Sequence, residues 1–325
     1  MNENTSVFTI EELEKLARIE DVISKLLEEL DSKPNDVNLL YKIALSYTKM
    51  HIYDKAQEFY DKTLEIEPEF VDAILSKANA YYATGEKDKV IPLYEKALLI
   101  NPDYTEALYV LGTFYYEINN IGKAIEYHKK AIEANPNNIQ AQLNLGNIYL
   151  VNGFTDEAFK LLESLSVYEN EFPIINYNLG ILYQSQDMYD KAIPCYKKVI
   201  KNNPLLIEAH YDLGICYYLS GNLDQAMMTF RRLLKQMPDS TEIRYQIARI
   251  YAEKDLYAQA LEEYQKILEL EEDFYFADFS LGELYYKNKM YEKARERFEK
   301  CKKVAVEKNL LIQIDKYLGE IEKSN

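Results

Sequence analysis

Positive charge is in short supply in this chain: 38 Lys and Arg stand against 54 Asp and Glu, a formal net charge of −16. Such a surface repels a nucleic-acid backbone unless cations cluster on one face. No such stripe is present, and short groups such as Arg231-Arg232 or Lys300, Lys302 and Lys303 read as solvated helix faces. Glycine and proline are also few, 10 and 9 residues among 325, which argues against long flexible linkers. Three cysteines, Cys195, Cys216 and Cys301, fit reduced buried thiols better than a disulfide framework. The three histidines, His51, His128 and His210, have no matched cysteine or carboxylate cluster, so neither a metal site nor a nucleophile–base arrangement is expected. P-loop, GxGxxG and GxSxG patterns are missing. No apolar stretch approaches the roughly 18 residues needed to span a bilayer. The opening MNENTSVFTIEELEKL lacks the basic and apolar regions of a signal peptide. These absences predict a cytoplasmic, non-catalytic protein with no cofactor, no metal, no membrane association and no nucleic-acid partner.

What is present is a beat. Proline stands at residues 34, 68, 102, 136, 204 and 238, all multiples of 34, with Asn170 and Glu272 at the two vacant multiples. Blocks of 34 starting at Val37 keep their phase through Lys308. One column is tyrosine in every block, from Tyr47 and Tyr81 to Tyr285. Three residues earlier sits a small residue: Ala44, Ala78, Gly112, Gly146, Gly180, Gly214, Ala248, Gly282. Nine residues after the tyrosine comes Ala56, Val90, Ala124 and their equivalents. Four further on comes a large ring or its substitute: Tyr60, Tyr94, His128, Leu162, Tyr196, Phe230, Tyr264, Phe298. Spacings of three and four are helical, so each block predicts two helices of about 14 residues. A short turn carrying Gly85, Gly153, Gly221 or a polar substitute joins them, and proline ends the second. Glycine inside a helix costs about 1 kcal/mol relative to alanine; its recurrence predicts close approach of the partner helix backbone.

This pattern resembles the tetratricopeptide repeat, a 34-residue helix–turn–helix unit. Leu111-Gly112, Tyr115, Ala124 and Pro136 carry the resemblance in the third block, and Leu213-Gly214, Tyr217, Ala226, Phe230 and Pro238 carry it in the sixth. It implies an all-α fold, a right-handed superhelical solenoid of eight such repeats with helical caps. The expected organisation is a loose tail at 1–8, an amino-terminal capping helix or partial repeat at 9–36, repeats over 37–308 and a capping helix at 309–325. Thr9 with Glu12 has the spacing of a capping box. Leu13, Leu16, Ile23, Leu26, Leu27 and Leu30 give the first helix an apolar face. Departures are local. The family's tryptophan slot is polar at Gln142, Asn176, His210, Arg244 and Asp278, Lys77 replaces a leucine, and Pro92 and Pro194 fall early in second helices, where a missing N–H is least costly.

The resemblance also implies that first helices line a concave face. Its columns predict a partner-binding groove built from Tyr41, Asn79, Tyr82, Tyr109, Tyr116, Asn144, Asn147, Tyr177, Asn178, Tyr211, Tyr218 and Tyr245. Tyrosine offers apolar area and a hydroxyl at low entropic cost. Consecutive asparagines such as Asn144 and Asn178 resemble those of the repeat domain of O-linked N-acetylglucosamine transferase, which grip a peptide backbone. The carboxylate clamp of the chaperone cochaperones is absent as written, since Leu75 and Leu143 stand where lysine is needed. Acids dominate the groove columns instead: Asp72, Glu106, Glu117, Glu208, Asp212, Glu242, Glu253 and Glu283 face Lys42, Lys49, Arg249 and Lys287. The expected function is a protein-interaction scaffold for an extended, neutral-to-basic peptide or partner segment with apolar anchors. Replacing Tyr109, Asn144, Tyr177 and Tyr211 with alanine is expected to abolish capture and leave thermal unfolding nearly unchanged. Two other classes stand beside it: a self-assembling structural module, a homo-oligomer stacked end to end or by convex surfaces, and an RNA-binding helical repeat.

Overall fold

The computed structural model describes the backbone of residues 10–324 and the side chains of 18–323. Thr9 and the tail before it, and the side chains of Glu12, Leu13 and Leu16, lie outside the described residues. All regular structure among the described residues is helical. The chain divides into two compact units, residues 1–158 and 159–325. The first holds α1 (Ile10–Ser32), α2 (Val37–Lys49), α3 (Tyr53–Ile66), α4 (Val71–Thr84), α5 (Lys87–Ile100), α6 (Thr105–Glu117), α7 (Ile121–Ala134) and α8 (Ile139–Val151). The boundary falls within α9 (Thr155–Ser164). The second unit continues with a short 3-10 turn at Ser166–Tyr168, then α10 (Ile174–Ser185), α11 (Tyr189–Asn202), α12 (Ile207–Leu219) and α13 (Leu223–Gln236). It ends with α14 (Thr241–Glu253), α15 (Tyr257–Leu270), α16 (Tyr275–Lys287), α17 (Tyr291–Val304) and α18 (Lys308–Ser324).

Within each unit the packing is between chain neighbours: α2 on α3, α3 on α4, α4 on α5, and likewise from α10 through α18. Nearest-neighbour stacking of this kind distributes the core along each unit rather than gathering it at one centre. The ring column is its keel. Tyr60, Tyr94, His128, Tyr196, Phe230, Tyr264 and Phe298 are all at most 2% exposed, and the small residues four positions before them are fully buried. The mid-helix glycines have a different reason from the expected backbone approach. A β-carbon at Gly112, Gly180, Gly214 or Gly282 would lie 2.5–2.9 Å from the ring of His128, Tyr196, Phe230 or Phe298. The aromatic side chain of the second helix, not its backbone, sits on the glycine.

Turns repeat with the same period. His51, Gly85, Asn119, Gly153, Asp187, Gly221, Asp255 and Lys289 all have positive φ, near 57–80°. Glycine adopts this left-handed backbone freely; the other residues accept some strain. At the opposite end of each pair, a four-residue turn closes with bonds such as Phe70 N–H to Glu67 C=O and Tyr104 N–H to Asn101 C=O. Pro68 and Pro102 occupy its second position, where a fixed φ is already correct. The turn at Glu272 closes the same way without proline, through Phe274 N–H to Glu271 C=O. At Asn170 the structure departs: α9 stops at Ser164, and Pro173 becomes the N-cap of α10.

Two sequence departures find physical explanations. Three polar residues in the tryptophan slot close the preceding turn: Gln142 Nε2 donates to Pro136 C=O at 2.7 Å, Arg244 to Pro238 C=O at 2.8 Å, and His210 Nε2 lies 3.0 Å from Pro204 C=O. Lys77 pairs with Asp61 and holds its ammonium 5.6 Å from the Tyr81 ring. Pro92 and Pro194 are not in the free first turn. Each is the sixth residue of its helix, α5 and α11, so each removes one i→i−4 bond, to the carbonyls of Asp88 and Asp190.

Candidate partner-binding face

The first helices carry the candidate residues: α2, α4, α6 and α8 in one unit, α10, α12, α14 and α16 in the other. Their leading tyrosines are held from two sides. Each ring packs against the second-helix ring 19 residues on: Tyr109 on His128 at 5.8 Å, Tyr177 on Tyr196 at 5.9 Å, Tyr211 on Phe230 at 5.6 Å and Tyr245 on Tyr264 at 6.0 Å between centroids. Each hydroxyl reaches the next first helix 35 residues on. Tyr41 bonds Ser76 at 3.1 Å, and Tyr245 bonds Ser280 at 3.2 Å. Tyr177 donates to Asp212 at 2.9 Å. Tyr211 accepts from Gln246 Nε2 at 3.0 Å, and Tyr109 from Asn144 Nδ2 at 3.4 Å. Asn144 also donates to Thr113 Oγ1 at 3.2 Å. These are rungs between consecutive repeats.

The rungs revise the expected division of labour. Tyr109, Asn144, Tyr177 and Tyr211 all hold first helices together, so their joint replacement by alanine would loosen the stack rather than leave unfolding unchanged. Asn178 is 4% exposed and Asn144 spends its amide within the array; this is unlike two asparagines lying open to a ligand backbone. Asn79 is exposed, and its Oδ1 accepts from the Tyr94 hydroxyl. Asn147 and Tyr116 are half-buried.

The second tyrosine column is more open. Tyr82 is 46% exposed and donates to Glu117 at 3.1 Å, and Tyr218 donates to Glu253 at 3.4 Å. Arg249 lies 4.4 Å from the Tyr218 ring and 5.8 Å from that of Tyr245. Burial pushes the Asp212 and Glu283 carboxyls up, opposed by the hydroxyls of Tyr177 and Tyr317 that they accept. By contrast, Asp72, Glu106, Glu117, Glu208, Glu242 and Glu253 are exposed on the same helices.

Burial pushes the Cys216 and Cys301 thiols up to about 12, so both are protonated and inert at neutral pH. His128 is fully buried, and neither ring nitrogen has a hydrogen-bond partner. Desolvation lowers it to about 4. Among the described residues no three His, Cys, Asp or Glu side chains group to hold a metal, and no helix is long and apolar enough to cross a membrane.

The columns are visible in the sequence, and their coupling through hydrogen bonds is subtler. The signal was there: tyrosine at one position is matched by a hydrogen-bonding residue 35 later. Three of the polar tryptophan slots, Gln142, His210 and Arg244, have a similar signal, a proline six residues before.

This architecture is shared with known proteins. Tetratricopeptide repeat models match residues 37–70, 75–139, 173–204, 195–228, 221–278 and 276–304. The chain belongs to the tetratricopeptide repeat family, and as an all-α repeat solenoid of that family it is a protein-interaction scaffold. Among solved structures, a tetratricopeptide repeat protein from Parabacteroides merdae aligns with a TM-score of 0.57 at 19% identity, over 77% of this chain and 98% of that one. A chain of the APC/C hetero-tetramer Cut9-Hcn1 aligns with a TM-score of 0.52 at 16% identity, over 94% of this chain and 59% of that one. MamA is 27% identical over 52% of this chain and 92% of that one, with a TM-score of 0.49. The first two likenesses speak for the fold alone. Among curated proteins, none matches.

Proposed function

We propose that the first-helix face of this scaffold holds an extended, neutral-to-basic segment of a partner protein, with no catalysis and no cofactor. The observation that carries the reading is the exposure of Asp72, Glu106, Glu117, Glu208, Glu242 and Glu253 on first helices. Tyrosine rings beside them offer apolar area without rotamer cost. The residues with most to offer a ligand are Tyr82, Tyr116, Tyr218, Asn79 and Asn147; the rung tyrosines Tyr41, Tyr109, Tyr177, Tyr211 and Tyr245 would contribute ring edges. Residues 37–308 serve as eight repeats in this reading, with 9–36 and 309–325 as caps and a cytoplasmic setting.

Labelled peptides of matched length and apolar content, differing only in lysine or glutamate, test it by fluorescence anisotropy. At low ionic strength the lysine peptides bind more tightly, and the difference shrinks as salt screens the surface charge. Tighter binding of the glutamate peptides would overturn the proposal.

A further inference from the structure

The tyrosine ladder is broken at three positions, Leu75, Leu143 and Phe279, and an apolar cup opens beside the first break. Leu75, like Leu143 and Phe279, stands in the column that holds Tyr41, Tyr109, Tyr177, Tyr211 and Tyr245 in the other repeats. Val110, 35 residues on, stands in the column of Ser76, Asn144, Asp212, Gln246 and Ser280. Neither side chain can make the hydrogen bond that the other rungs make. Beside this gap is a cavity of about 220 Å³ walled by Tyr82, Val90, Tyr94, Val110 and Phe114. The Tyr82 and Phe114 rings meet edge-on at 6.2 Å, leaving a slot of aromatic faces and edges.

The rim has a sign. Glu117 accepts from Tyr82 at 3.1 Å and from Lys87 at 3.3 Å. Glu106 is exposed three and four residues before the lining residues Tyr109 and Val110, one turn along the same face of α6. Two carboxylates against one ammonium leave the mouth negative. An apolar cavity with a few polar groups at its edge is the usual form of a specificity pocket.

We propose that this cup is the anchor pocket of the first unit, taking one phenylalanine or leucine side chain of an extended partner segment whose neighbouring residues are lysine or arginine. This rests on the reading that the first-helix face binds such a segment. The cavity fits one side chain of that size. The carboxylates of Glu106 and Glu117 favour cationic neighbours, and Asn79 at the rim offers an amide to the ligand backbone.

The test uses the full chain and three labelled ten-residue peptides of Ser, Gly and Lys: one with a central Phe, its Phe→Ala counterpart, and the Phe peptide with Lys→Glu throughout. Anisotropy should show the Phe peptide binding about tenfold or more tightly than the Ala peptide, and the Glu peptide weakest. Two variants remove the cup by importing residues found at the same column elsewhere in the array. Tyr82→Ala copies Ala252, and Val110→Gln copies Gln246. Each should erase the Phe preference while the melting curve stays cooperative; if one variant fails to fold, the other decides. Binding that is equal for Phe and Ala, or a Phe preference that survives both variants, overturns the cup and leaves the wider reading standing. A Glu peptide that binds more tightly than its Lys counterpart, or no binding by any of the three, overturns both.

Discussion

A single hydroxyl 35 residues from its partner does two kinds of work here. The Tyr211 ring packs on Phe230 of its own repeat, and its oxygen receives the Gln246 amide of the next. Removing the hydroxyl leaves the buried Gln246 amide N–H unmatched, and removing the amide leaves the half-buried hydroxyl so. A double-mutant cycle of Tyr211→Phe and Gln246→Leu in chemical denaturation is therefore expected to show coupling of about 0.5–1.5 kcal/mol. Strictly additive losses would show that the rung carries no stability. His128 is the converse case, a polar ring where phenylalanine or tyrosine serves elsewhere. The unfolded chain takes up the proton first as pH falls below 6.5, because the native ring resists it down to about 4. Stability from His128 is thus intact above 6.5 and drains away toward 4, by up to about 3 kcal/mol. His128→Phe should flatten that part of the pH profile, measured by urea midpoints between pH 7 and 4.

Helices are where reading from sequence worked best and where it slipped. The 3-and-4 spacing located every pair in blocks 37–308, because buried columns in a stacked array leave a strong period. The short α9 was not legible: Asn170 occupies the proline position, and nothing local announces that the helix stops at Ser164. The prolines inside α5 and α11 were visible, but their cost depends on helix starts at Lys87 and Tyr189, one or two residues being decisive. Pro194 is exposed and forfeits one helical hydrogen bond. Pro194→Ala is expected to raise stability by about 1–3 kcal/mol, read as a higher melting temperature. An unchanged or lower one would mean that a kink at Pro194 is needed for packing against α12.

At the scale of the whole molecule, the candidate face was legible as columns and opaque as contacts. Periodicity places Tyr41, Tyr109 and Tyr177 on one helix face. It does not say whether their hydroxyls meet a ligand or the next helix, since both uses want the same residue in the same column. Charge was more informative, because carboxylates such as Asp72 and Glu242 stay exposed wherever no buried partner claims them. A net charge of −16 makes long-range attraction of basic partners a property of the entire chain.

The ladder also limits how such a gene can gain or lose copies. Each rung reaches one residue beyond the repeat length, so every repeat that carries one reads the identity of its successor. Excising residues 178–211 would bring Tyr177 opposite Gln246, a donor–acceptor match. Excising 76–109 would remove Tyr109, the rung partner of Asn144, and set Leu75 opposite that amide, as Leu143 already stands opposite Asn178. Equal deletions of 34 residues should therefore differ in outcome: the first shortened protein is expected to unfold cooperatively and the second at a lower temperature, by an amount that Leu75→Tyr recovers. Repeats that look interchangeable in composition are, in this sense, ordered words rather than identical beads.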